Sequence, residues 1–306
     1  MNKIYGYLIL IVLLSCSKTD DCLNEETTLI IGNEEFKLTE KSFYGNENCD
    51  IINVEIGYQV PDDPGFRLKF ALGKNGSIRN IDLVFARSGE NKQYESADFN
   101  PSGLISIKNF IYNPSKNHLH FEFQGDLVEV DGAFSTIDIP KDRKYIRGIF
   151  TTDNLIKTVC NSAFGNLNFE TNNLTFLGNN YFGNFNISLT TNPYKFYFYS
   201  DNGYRTIIKS KVDLWNLEKG TYNFDQSSIE NRIDFEQYIG IFRATQLLWI
   251  RDIDWKKYQT SGSYTILGHQ IINGQKFTNG EFNLQIFDNG VLKHNITNAK
   301  FEVIGF

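Results

Sequence analysis

Phe66-Arg67-Leu68-Lys69-Phe70 puts three apolar residues on one side of an extended chain and two cations on the other. Successive side chains of a strand point to opposite faces, whereas a helix repeats its apolar residues every three or four positions. The segment therefore reads as a half-buried antiparallel strand. The same period of two returns in Ile81, Leu83 and Phe85, in Leu119, Phe121 and Phe123, and in Phe196 and Phe198. It recurs in Phe282, Leu284 and Ile286 and in Phe301 and Val303. Between these runs stand Asn75-Gly76, Asp131-Gly132, Asn202-Gly203, Asn273-Gly274, Asn279-Gly280 and Asn289-Gly290, dipeptides that tolerate the positive φ of tight turns. The most helix-like stretch, Ser228 to Glu236, offers only Ile229 and Ile233 as an apolar stripe. An all-β fold follows.

The chain has 306 residues, 15% of them aromatic and 41% hydrophobic, which excludes a disordered polymer and favours two domains over one. Its formal net charge of -6 argues against a broad nucleic-acid-binding surface. Polar breaks between Cys160 and Asn173 suggest two antiparallel, β-sandwich-like modules, 29–165 and 166–306. The modules end in loosely similar order. Ile105-Ser106-Ile107, Leu119 to Phe123 and Ile146 to Phe150 match Tyr264-Thr265-Ile266, Glu281 to Leu284 and Ile296 to Phe301. That order suggests a duplication.

Residues 1–15 carry Lys3 and an apolar run from Ile4 to Leu14, too short to span a hydrocarbon core of roughly 30 Å. The run suits a signal-peptide h-region and closes on Leu13-Leu14-Ser15-Cys16. This ending resembles the lipobox of bacterial lipoproteins. The resemblance implies cleavage before Cys16, acylation of its sulfur and anchorage of the mature chain, with 16–28 as a polar tether. Ser17-Lys18-Thr19-Asp20-Asp21 resembles the surface-export signal of Bacteroidota lipoproteins, which implies the outer membrane and its cell-surface side, with the periplasmic face as the alternative. The last third, through Lys219-Gly220-Thr221-Tyr222, Ser261 to Ile266, Asn279 to Phe282 and Ile296 to Phe301, is similar to uncharacterised all-β lipoproteins of the same phylum. That likeness carries no catalytic residues with it.

Four cysteines are too few for a disulfide scaffold. In an exported chain Cys49 and Cys160 can pair, and Cys22 can compete for either. His118, His120 and Glu122 alternate with Leu119, Phe121 and Phe123 and so share a strand face, a candidate two-histidine, one-carboxylate metal set. His269 and His294 sit in or beside polar turns and point to nothing further. Asp252 and Asp254, between Trp249 and Trp255, are the most glycosidase-like local feature. Neither a nucleophile elbow nor a phosphate-cradling glycine loop occurs, and no cofactor is expected. Trp215, Trp249 and Trp255, with Tyr197 and Tyr199 opposite Phe196 and Phe198, are candidate ligand platforms. The expected function is non-enzymatic: a lipid-anchored binding protein, its ligand carbohydrate or a partner protein. Its alternatives are an assembly subunit of an outer-membrane complex and a secreted-type glycoside hydrolase.

Overall fold

The computed structural model describes residues 27–39, 42–60, 63–87, 89–131, 141–158, 165–171, 173–179, 194–245 and 251–305. The leader, the tether up to residue 26, Cys22, Gly132, Cys160 and Trp249 lie outside the described residues.

The described chain is all-β and forms two curled, antiparallel-rich sheets. The first contains β1 (Thr27–Ile31), β2 (Glu34–Leu38), β3 (Phe43–Asn48), β4 (Ile51–Val60), β5 (Asp63–Gly73) and β6 (Ile78–Arg87). It continues through β7 (Glu90–Glu95), β8 (Ile105–Asn113), β9 (His118–Asp131), β10 (Arg143–Thr152) and β11 (Ile156–Lys157). The second contains β12 (Asn166–Thr171), β13 (Leu174–Asn179), β14 (Tyr194–Ser200), β15 (Tyr204–Ser210), β16 (Gly220–Phe224) and β17 (Arg232–Tyr238). After the short β18 (Ala244–Thr245) come β19 (Trp255–Lys257), β20 (Gln259–Ile272), β21 (Gln275–Asp288) and β22 (Val291–Gly305).

Strand order in the first sheet is β11-β3-β4-β5-β6-β7-β9-β10-β1-β2, with β8 and β18 also on β9. In the second it is β16-β20-β21-β22-β12-β13-β14-β15-β17-β19. Each module seats its first strand between its second and a long late strand: β1 lies between β2 and β10, and β12 between β13 and β22. The preceding strands also correspond, since β8-β9-β10 and β20-β21-β22 are runs of antiparallel neighbours. One strand crosses the division. β18 comes from the C-terminal half and pairs with β9 in parallel, Ala244 opposite Val130.

The alternating residues form the interiors. Phe66, Leu68, Phe70, Ile81, Leu83, Phe85, Leu119, Phe121 and Phe123 are all buried in one core. Phe196, Phe198, Phe282, Leu284, Ile286, Phe301 and Val303 are buried in the other. Full burial of each such side chain is worth about 1.5–3 kcal/mol. Two local expectations change. Ser228 to Glu236 is not helical, because from Arg232 onward Ile233 and Phe235 enter the second core while Asp234 and Glu236 take the opposite face of β17, Glu236 buried there against Arg205. Asn279-Gly280 is not a turn but lies inside β21, where a Cβ on Gly280 would sit 2.2 Å from the Phe301 ring. The hairpin turns at Asn273-Gly274 and Asn289-Gly290 do carry the positive φ that their sequence demands.

Candidate functional site

The predicted aromatics divide among separate places. Phe196 and Phe198 face the second core, so Tyr197 and Tyr199 project from the opposite face of β14, as their alternation requires. There Tyr199 joins Tyr238 and Trp255 in a socket that receives Phe99 from the first module. Ring centroids lie 5.5 Å from Phe99 to Tyr199, 5.5 Å to Tyr238 and 5.3 Å to Trp255. Tyr199 and Trp255 are therefore buried between modules and offer no open platform. Tyr197 stays half-buried on the rim, stacked on Tyr199 at 6.1 Å. Trp215 stands apart, in a one-turn 3₁₀ segment against His269 at 5.2 Å.

Phe99 has a φ of 60°, a conformation that costs a non-glycine residue free energy and persists only when its surroundings impose it. The constraints are visible. Asp98 N–H donates to Arg243 O at 2.7 Å, and Asn100 N–H donates to Asp98 O at 2.7 Å. Thr245 Oγ1 donates to Asp98 Oδ2 at 3.0 Å. Nearby, Ile78 N–H donates to the Asp201 carboxylate at 3.0 Å, and Ser102 N–H to Asp201 O at 3.1 Å. The modules are thus joined by backbone bonds as well as by rings.

Charges beside the socket are consumed structurally. Arg205, only 2% exposed, donates from Nε to Glu236 Oε2 at 2.6 Å and lies 3.9 Å over the Trp255 ring. Burial pushes the Glu236 carboxyl up, and the Arg205 guanidinium opposes that shift. Asp254 accepts from Arg251 at 2.8 and 2.9 Å and from Arg243 at 3.1 Å. Hydrogen bonds from Arg251 hold its carboxyl below the usual range. Asp252 and Asp254 sit in a 3₁₀ turn rather than on a strand, and Asp252 is 77% exposed beside Lys257 at 3.3 Å. Their carboxylates are thus engaged differently, Asp254 by two arginines and Asp252 by Lys257 at the surface.

His118, His120 and Glu122 share the outward face of β9, yet each engages a different neighbour. His118 Nδ1 lies 2.6 Å from Asp153, His120 Nδ1 lies 2.8 Å from Thr151 Oγ1, and Glu122 accepts from Asn109 at 2.8 Å. Among the described residues no group of three or more histidine, cysteine or carboxylate side chains is placed to hold a metal ion. Cys49 is disulfide-bonded. Thr158 N–H donates to Glu47 O at 2.9 Å, which continues the parallel pairing of β11 with β3.

The outer face of the first sheet holds a site that local sequence patterns did not single out. Register aligns Tyr44 with Glu55, Glu55 with Lys69, Lys69 with Asp82 and Asp82 with Glu95, one polar row across β3 to β7. The adjacent row is Asn46, Asn53, Ala71 and Asn80. Ala71 is the short member, and over it opens a hollow of about 300 Å³ lined by both rows. Asn53 Nδ2 donates to Asn46 Oδ1 at 3.1 Å, Ser96 Oγ donates to Asn80 Oδ1 at 3.1 Å, and Lys69 pairs with Glu55 at 3.4 Å. Gln93 donates to both Glu95, at 2.9 Å, and Asp82, at 3.3 Å. Burial and the neighbouring Asp82 push the Glu95 carboxyl up to about 7. The outward residues of each strand were legible from period two. Their alignment into rows was not, because register is a property of strand pairs.

Comparison of the chain with family models, curated proteins and solved structures gives no match.

Proposed function

We propose that this chain is an exported lipoprotein, moored at the outer membrane through an acylated Cys16 and facing the cell surface, that acts by binding and not by catalysis. Leu13-Leu14-Ser15-Cys16 behind Lys3 and a short apolar run carries the proposal. The oxidised state of Cys49 supports it independently, since a structural disulfide belongs to an oxidising compartment. Binding is the supported activity because the fold presents a polar hollow on a rigid sheet, while the acidic pair Asp252 and Asp254 is divided between solvent and arginine partners. The ligand class is carbohydrate, with a partner protein as the second candidate.

The test is mass spectrometry of the mature product from cells, with protease shaving of intact cells alongside. A diacylated or triacylated N-terminal Cys16, lost in Cys16→Ala, is the expected result. An unmodified thiol or a retained leader refutes the anchor. Full protection of the anchored chain from protease refutes display on the surface.

A further inference from the structure

The hollow on β3 to β6 has the composition of a saccharide site, and we infer that it is the ligand-binding surface, taking neutral pyranose units. This inference rests on the reading of the chain as a binding protein and names the site and the ligand class.

A sugar ring offers hydroxyl groups around its rim and flat C–H surfaces on its two faces. Its recognition calls for fixed, planar donors and acceptors at the side and an aromatic ring at the edge. Asn46, Asn53 and Asn80 supply amides that present both functions from one plane. The Asn53–Asn46 bond and the Ser96–Asn80 bond orient these amides before any ligand arrives, which lowers the ordering cost of binding. Glu55, Lys69 and Asp82 add charged hydrogen-bonding groups along the next row. Tyr44, 51% exposed at the end of that row, presents its ring to solvent. Each of these side chains projects from a strand whose other face is locked into the first core, so the array is rigid.

Size and charge narrow the ligand. A volume of about 300 Å³ is at the small end of ligand sites, so the hollow fits one or two rings of a longer chain that continues into solvent. The lining holds the carboxylates Glu55 and Asp82 against the single cation Lys69, so polyanionic glycans are disfavoured by like-charge repulsion.

The test uses the mature full chain in detergent, titrated calorimetrically with neutral gluco-, galacto- and manno-oligosaccharides and with heparin as the anionic probe. Saturable binding to at least one neutral series and none to heparin is expected. Tyr44→Ala and Asn53→Ala should each weaken binding at least tenfold, and His120→Ala, on a strand outside the hollow, should change it less than twofold. Thermal melts keep a folding defect apart from a binding defect, and Asn46→Ala gives a second amide variant if Asn53→Ala fails to fold. No binding to any neutral series, binding to heparin instead, or binding unmoved by Tyr44→Ala and both amide variants overturns the inference. An acylated chain that binds no sugar removes this site and leaves the anchor standing. A non-acylated chain that binds sugar does the reverse.

Discussion

Replacing Phe99 tests whether the two modules act as one cooperative body. The side chain is 6% exposed and is surrounded by Tyr199, Tyr238 and Trp255 of the other module. Truncating a buried phenylalanine to alanine costs about 3–5 kcal/mol. The lower half of that range applies here, because an interface closes around a void more easily than a core does. Backbone conformation supplies a sharper criterion. At a φ of 60° an alanine retains its Cβ penalty of roughly 1–2 kcal/mol, which glycine escapes. Glycine loses about 0.5–1 kcal/mol through chain entropy. Phe99→Gly should therefore be more stable than Phe99→Ala by about 0.5–1 kcal/mol, although it removes one carbon more. Urea denaturation followed by tryptophan fluorescence and by far-ultraviolet circular dichroism measures both effects. The native chain should give coincident transitions, and Phe99→Ala should separate them as the modules uncouple. A loss below 1 kcal/mol, or glycine falling below alanine, would show that Phe99 neither joins the modules nor is held in a costly conformation.

The remaining predictions concern charge and covalent structure. Arg205→Met leaves Glu236 buried without its partner and should cost about 3–5 kcal/mol, most of it recovered in Arg205→Met/Glu236→Leu; a double-mutant cycle in urea measures the recovery, and a double variant no better than the single one contradicts it. Burial raises the carboxyls of Asp98 and Glu95 to about 7, so the folded state holds protons that the unfolded chain releases near pH 4. Their contribution is most favourable below pH 4 and is lost as pH rises through 7, so the urea midpoint should fall between pH 5 and pH 8, and Asp98→Asn should flatten that slope. The charges facing Asp98 are Arg243, which opposes the shift, and Glu95, which adds to it. Non-reducing peptide mapping should find Cys49 joined to Cys160, and reduction should destabilise the chain by roughly 4–5 kcal/mol for so long a loop; a Cys22–Cys49 peptide would replace that assignment.

Strand identity was legible wherever one face is buried, because the core imposes the period. Phe66-Arg67-Leu68-Lys69-Phe70 became the middle of β5 with its three apolar residues inward. The same logic set Tyr197 and Tyr199 opposite Phe196 and Phe198 correctly. It could not say that Tyr199 meets a phenylalanine from the other module, since outward aromatics look alike in sequence whether water or protein covers them. Asn279-Gly280 misled for a related reason: the glycine is required by the Phe301 ring on the neighbouring strand rather than by a turn. Ser228 to Glu236 misled because polar residues at its start hid the alternation that begins at Arg232.

Hollow and junction are physically linked by one short segment. Glu95 ends the polar row; Ser96 donates to Asn80 in the hollow and accepts from Ile81 N–H at 3.0 Å; Asp98 binds Arg243 and Thr245; Phe99 fills the socket. A displacement of Phe99 therefore reaches Asn80 through Asp98, Ala97 and Ser96, whereas Tyr44, Asn46 and Asn53 lie on β3 and β4, separated from β7 by at least β5 and β6. The amide nearest the junction depends on the docking of the modules, and the tyrosine with its two neighbouring amides depends on the first core alone. On the proposed reading, a saccharide bound over both ends would be held by a site whose one wall is fixed by the second module, and the β18–β9 pairing and the Phe99 plug would then serve binding as well as stability.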